Sequence, residues 1–264
     1  MPAHTLDSLY GLGGLKVAVT GAGAGMGAET ARLISGLGAS VALLDIDVPG
    51  ATAIADELAA PGNRARAIGL DLADEASCVA AFAAAVEWLG GLDAVVHVAG
   101  IYPRIGLFDL TAEKWNRIHD INARGTMLVL REAAKAMLSG GKGGRIVNIS
   151  SNSAEKVTVN DHYAYASSKA AVNSLTRTAA YQLGPQGILV NAIMPGMVLS
   201  DTAKQSVASV TAPPSGPMLE PGRIVLGRPG APIDVAAVAA FLIGPAASYI
   251  TGQCFAVDGG FEVS

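Results

Sequence analysis

The chain has 264 residues, enough for one large α/β domain or two small ones, and a formal net charge of −4 at pH 7. Hydrophobic residues make up 51% and charged residues only 15%, with no basic block, which points to buried subunit interfaces, a large core explaining part of the surplus, and argues against nucleic acid as the main partner. No apolar run approaches the roughly 18 residues of a membrane span, the opening MPAHTLDSLYGLGG is not a secretory signal, and Cys78 and Cys254 form neither a metal spacing nor a disulfide framework, so a cytoplasmic protein without a metal is expected.

In chain order, LKVAVTG (15–21) reads as a buried strand running into the turn TGAGAGMG, Thr20 to Gly27. Met26, Thr30, Leu33, Ile34 and Leu37 then recur at helical period. SVALLD (40–45) and ARAIGLD (65–71) are the next strands, followed by a helix marked by Val79, Phe82, Val86 and Leu89. LDAVVHVAG (92–100), GRIVNIS (144–150), ILVNAIMPG (188–196) and GQCFAVDGG (252–260) complete seven strands. They are apolar on both faces, as strands covered by helices on both sides must be. Alternating β and α predicts an α/β fold: a doubly wound parallel sheet in one domain, 15–264, after an N-terminal extension, 1–14. One irregular stretch, 200–227, carries four of the 13 prolines and is expected to be a lid over a site, with a disordered loop as the alternative.

The glycine turn is the first chemical feature. Gly21, Gly25 and Gly27 sit where a strand becomes a helix, so that bare backbone can approach a pyrophosphate at the helix N-terminus. Asp45 ends the second strand 24 residues after Gly21, placed to accept hydrogen bonds from adenosine ribose hydroxyls. The same carboxylate repels a 2′-phosphate, which favours NAD over NADP; Ile46 follows it, and the turn holds no Arg or Lys. An aspartate at a strand end can also simply cap a loop.

The spacing Gly-x-x-x-Gly-x-Gly, together with YASSK at 165–169, resembles the short-chain dehydrogenase/reductase family, and further landmarks follow in order: LDLAD (70–74), VAG (98–100), INARG (121–125), IVNISS (146–151), PG (195–196) and GRPGAPIDVAAVAAFL (227–242). The resemblance implies a Rossmann-type fold and a catalytic set of Asn122, Ser151, Tyr165 and Lys169. Thirteen residues separate Ser151 from Tyr165, one more than the family's usual spacing, which implies an insertion within 152–164 and keeps Ser150 and Ser153 as alternatives. Tyr163 is a decoy, with Ser167 rather than lysine four positions on. His97 and Val98 replace two asparagines common in the family; a packed strand histidine is the expectation for His97, a catalytic one the alternative.

By the same resemblance, Met26, Asp71, Leu72, Val98, Ala99, Gly100, Pro195, Val198 and Ser200 would also contact the cofactor, and Asn152 and Met197 would join Ser151 and Tyr165 at the substrate. Tyr102, Pro103, Val157 and Tyr163 are further pocket candidates. A Lys169 ammonium about 4 Å from the Tyr165 phenol, at an effective dielectric of ~20, would stabilise the phenolate by roughly 4 kcal/mol; desolvation opposes this and the positive ring of oxidised nicotinamide adds to it, for a net phenol able to work near neutral pH. Ser151 would hold the substrate oxygen, and Asn122 would interrupt a helix and carry a water connecting Lys169 to solvent. The expectation is an NAD-dependent oxidoreductase of hydrophobic alicyclic or aromatic secondary alcohols and ketones, working as a homotetramer or dimer. An NADPH-dependent ketoreductase, acyl-thioester ketones included, and a catalytically silent NAD-binding regulator are the alternatives.

Overall fold

The computed structural model describes residues 5–59, 64–200 and 214–264. Seven parallel strands form one sheet in the order β3-β2-β1-β4-β5-β6-β7: β1 Lys16–Thr20, β2 Ser40–Asp45, β3 Ala65–Gly69, β4 Ala94–His97, β5 Gly144–Ile149, β6 Ile188–Pro195 and β7 Cys254–Val257. The helices among the described residues are α1 Leu6–Tyr10, α2 Gly25–Gly36, α3 Val48–Leu58, α4 Glu75–Leu89, α5 Ala112–His119, α6 Gly125–Gly140, α7 Tyr163–Leu183 and α8 Pro232–Ile243.

The period-2 pattern of the strands divides the core in two. Val17, Val19, Val41, Leu43 and Val96 pack on one face with Ile34, Val235 and Leu242 of α2 and α8. Ala18, Ala42, Leu44 and Val95 face the other way, toward Phe82 and Leu89 of α4, Leu128 and Met137 of α6, and Ala180 of α7. The inner strands β1, β2, β4, β5 and β6 are therefore largely apolar on both faces because both faces are covered, whereas the edge strands β3 and β7, expected to be alike, hold no buried residue. Each predicted strand is present, shorter by up to five residues because the turn residues at its ends do not pair. Leu12 of the N-terminal extension is buried in the first core and its N–H donates to the Leu37 carbonyl.

The order reverses between β1 and β4, so the connections leaving these two neighbours diverge to opposite faces and open a crevice at the carboxyl ends of the strands. The glycine turn leaves β1 there, Val98–Gly100 leaves β4, and Ser150–Ser151 leaves β5. The lid expected at 200–227 lies outside the described residues over 201–213. Its described part packs on the loop before α7: Met218 N–H donates to Thr158 O at 2.9 Å and Asn160 N–H to Ser215 O at 2.8 Å.

Candidate active site

At the crevice, Gly21 has φ +69, and a Cβ there would lie 2.8 Å from the Ala99 backbone. A Cβ on Gly27 would overlap the Gly21 carbonyl. These two positions therefore let α2 run directly under the turn. α3, α4 and α5 each have a side-chain cap, from Asp47, Asp74 and Thr111, but the N-cap of α2 is Ala24 and offers none. Its first N–H groups face the turn without a side-chain acceptor, as a phosphate site at a helix N-terminus requires. Asp45 closes this region: Oδ2 accepts from Gly23 N–H at 2.8 Å and Oδ1 from Asp47 N–H at 2.9 Å. The carboxylate is thus a loop cap, with further lone pairs available to a ribose. The chain fits a dinucleotide along this edge.

Asp71 accepts from Ala73 N–H at 2.9 Å, and Leu72 is buried beneath Gly125. Both lie just past the end of β3. Met26, Val98, Gly100, Pro195, Met197, Val198 and Ser200 line one cavity of about 820 Å³ together with Asn152, Ser151, Tyr165, Lys169, Tyr102 and Pro103. Val157 and Tyr163 do not line it; both are exposed.

The inserted residue leaves the serine beside the tyrosine. The loop closes through a short 3-10 turn, Asn152–Ala154, and enters α7 through Asp161, a non-glycine residue at φ +66. Three hydroxyls compete for the catalytic position, and their partners separate them. Ser150 donates to the Lys169 carbonyl at 3.0 Å, and Ser153 pairs with Thr158. The Ser151 hydroxyl accepts from Ser153 N–H at 3.1 Å and shares the cavity wall with the Tyr165 phenol, whose pKa it lowers.

Lys169 is buried and donates to the Ile149 carbonyl at 2.7 Å, with Nζ 5.9 Å from the Tyr165 ring centroid. Burial lowers its pKa to about 8. Burial also pushes the Tyr165 phenol up to about 12, only partly opposed by the Ser151 hydroxyl. In the chain alone the phenol thus stands above its ordinary value, and the lowering expected toward neutral pH counts on the positive nicotinamide ring as well as on Lys169. Here desolvation of the phenolate outweighs the other influences.

Asn122 is buried in a π-helical turn, Asp120–Arg124, that joins α5 to α6. The expected break in the helix is this widened turn. Its amide does not stand free for a water: Oδ1 accepts from Ile101 N–H at 2.9 Å, while Nδ2 donates to Ile101 O at 2.8 Å and to Ser168 at 3.0 Å.

Sequence reasoning missed His162 and Arg104, which also line the cavity. The His162 ring lies 4.9 Å from that of Tyr165, and Tyr102 meets Tyr165 edge-on at 6.5 Å. Burial, then the nearby Arg104, lower the His162 pKa to about 4. The spacing of His162 three residues before Tyr165 was visible in the sequence, but its place just ahead of the helix start was not. His97, anticipated as a packed strand histidine, is buried in β4 away from the cavity.

Residues 21–262 match the family described as enoyl-(acyl carrier protein) reductase. A short-chain dehydrogenase/reductase of Armillaria gallica is 39% identical over 245 residues, covering 92% of this chain and 94% of that protein. D-threitol dehydrogenase of Mycolicibacterium smegmatis is 34% identical over 259 residues, covering 98% and 97%. Among solved structures, a 7α-hydroxysteroid dehydrogenase complexed with NADH and 7-oxo glycochenodeoxycholic acid superposes with a TM-score of 0.87 at 34% identity, covering 98% of each chain. With the glycine turn, the buried lysine and the paired serine and tyrosine all at one crevice, the chain belongs to the short-chain dehydrogenase/reductase family.

Proposed function

We propose that the protein is a cytoplasmic, NAD-dependent oxidoreductase that interconverts a secondary alcohol and its ketone on an alicyclic or aromatic scaffold, as a homotetramer. The carrying observation is the convergence of Ser151, Tyr165 and Lys169 on one cavity beside the glycine turn. Asp45 supports NAD: a 2′-phosphate would meet its carboxylate, already positioned by Gly23 and Asp47. Met197, Val198, Met218 and Leu219 supply apolar cavity surface for the substrate skeleton. The names of the threitol and hydroxysteroid relatives support a secondary-alcohol substrate.

In the oxidative direction Tyr165 takes the proton of the substrate hydroxyl, and Ser151 donates to the same oxygen as charge develops on it. Nicotinamide, when bound, supplies the hydride acceptor and a positive charge near the phenol. Lys169 has Nζ protons beyond the one given to Ile149 and would reach the nicotinamide ribose. The Asn122 carbonyl, rather than its amide, is the group that would hold a relay water. NADH formation with a panel of secondary alcohols, run beside Tyr165→Phe, tests the reading. Turnover lost in the variant with NAD binding kept supports it; turnover retained in the variant overturns the role of Tyr165.

A further inference from the structure

The exit of β4 is enclosed by a ring of hydrogen bonds whose members come from four places in the chain. Val98 and Ala99 N–H both donate to the Thr20 hydroxyl at 3.2 Å. Thr20 Oγ1 lies 2.7 Å from His97 Nδ1, and His97 Nε2 lies 3.1 Å from Thr126 Oγ1. Thr126 donates to the Asn122 carbonyl at 2.6 Å, and the Asn122 amide returns to both backbone groups of Ile101. Thr20, His97, Asn122 and Thr126 are all at least 98% buried.

Proton counting allows one arrangement. A threonine hydroxyl has a single proton, and that of Thr126 goes to the Asn122 carbonyl. His97 Nε2 must then donate to Thr126, which makes Nδ1 the acceptor in a neutral ring, and Thr20 donates to Nδ1. The Thr20 hydroxyl already accepts from Ala99 N–H and from Val98 N–H, which it shares with the Thr20 carbonyl at 3.3 Å. A proton on Nδ1 would therefore compete with both N–H groups for the hydroxyl oxygen. Burial and the facing charge of Lys169 act in the same direction, lowering the ring's pKa to about 3.

We infer that His97 is a positioning residue, held as the neutral Nε2–H tautomer, that locks the cavity-facing Val98–Ile101 backbone to the Asn122 carbonyl through Thr20 and Thr126. This rests on the dinucleotide reading for its functional consequence, because Val98 and Gly100 line the cavity and a Cβ on Gly100 would sit 3.0 Å from Asn122 Oδ1 and 3.4 Å from Lys169 Nζ. The Thr126 hydroxyl also serves the Asn122 carbonyl of the widened helical turn.

The test has two parts. Long-range proton–nitrogen NMR on histidine-labelled protein, with the His97 ring assigned by its loss in His97→Gln, should show Nε2 protonated and Nδ1 bare, unchanged from about pH 8 to about pH 5. An imidazolium or an Nδ1–H ring in that range overturns the inference whether or not NAD binds. Binding of NAD and kcat are then measured on folded variants. His97→Leu, which can neither donate nor accept, should weaken NAD binding and lower kcat by roughly tenfold each. His97→Gln presents one donor and one acceptor at a similar spacing and should stay within about threefold of the parent. A folded His97→Leu that binds NAD and turns over like the parent overturns the positioning role. Failure of the unaltered protein to bind NAD would instead refute the dinucleotide reading.

Discussion

The Tyr165 phenol, pushed up to about 12 by burial, can work as a base near neutrality only when more positive charge reaches it than the chain itself supplies. Titrating phenolate absorbance, with Tyr165→Phe as the blank, should therefore give a lower apparent pKa for Tyr165 in the presence of NAD than without it; an equal value would show that the protein tunes the phenol alone. Tyr165→Phe itself should lower kcat by about 10²- to 10⁴-fold and leave NAD affinity nearly unchanged, because the hydroxyl moves a proton and holds no phosphate. Asp45 offers a specificity test at the same scale. Asp45→Ser removes the charge that would oppose a 2′-phosphate and keeps a hydroxyl for Gly23, so the NAD-to-NADP affinity ratio should fall by about tenfold or more, equivalent to ~1.4 kcal/mol. Binding isotherms with both nucleotides read this directly.

The turn from β1 into α2 works because two glycines allow backbone to touch backbone. Gly27→Ala places a methyl group on the Gly21 carbonyl and should destabilise the fold and abolish tight NAD binding. Gly36→Ala, at the other end of the same helix, meets nothing within 4 Å and should be neutral or stabilise by up to about 1 kcal/mol. Thermal melts of the two variants separate a requirement for glycine from mere abundance of it. The π-helical turn Asp120–Arg124 is the other element built for the site: the extra residue lets Asn122 point its amide at Ile101 and Ser168 from the middle of a continuous helix.

For the molecule as a whole, the buried Lys169 couples stability to pH. Its folded pKa is lowered from 10.5 to about 8, so between these values the unfolded chain binds more protons than the native one. Stability contributed by this group therefore rises from about pH 8 to about pH 10.5. Tyr165 acts oppositely above pH 10, where its raised pKa makes the native state hold the extra proton. Chemical denaturation from pH 7.5 to 10 should show a smaller rise for Lys169→Met than for the parent, and equal slopes would disprove the linkage. Phe108, Tyr181 and Tyr249 stand almost fully exposed on the single chain, as surface reserved for subunit contacts would. Sedimentation should give four times the 26.6 kDa of one chain; a single-chain mass would remove the homotetramer.

Local pattern was enough for the sheet and for part of the site. Apolar runs bounded by turn residues specify β1–β7, most strongly for the inner strands buried on both faces, and Gly21, Gly27 and Asp45 are legible because one strand–turn–helix–strand unit carries all three. Helical spacing puts Tyr165 and Lys169 on one face, but only the resemblance carried by the landmarks around them marks the pair as reacting groups. Which of three serines meets the tyrosine was not, since that depends on how the 152–162 loop folds and on partners such as Thr158 and the Lys169 carbonyl. Nor were the depth of burial that raises the phenol, the capture of the Asn122 amide by Ile101, or the His97 ring, whose bonds span 77 and 29 residues of sequence. The chain's own order thus determined the elements and the reacting groups. Tertiary structure decided their charge states and partners, because desolvation and long-range hydrogen bonds depend on distances that no local spacing contains.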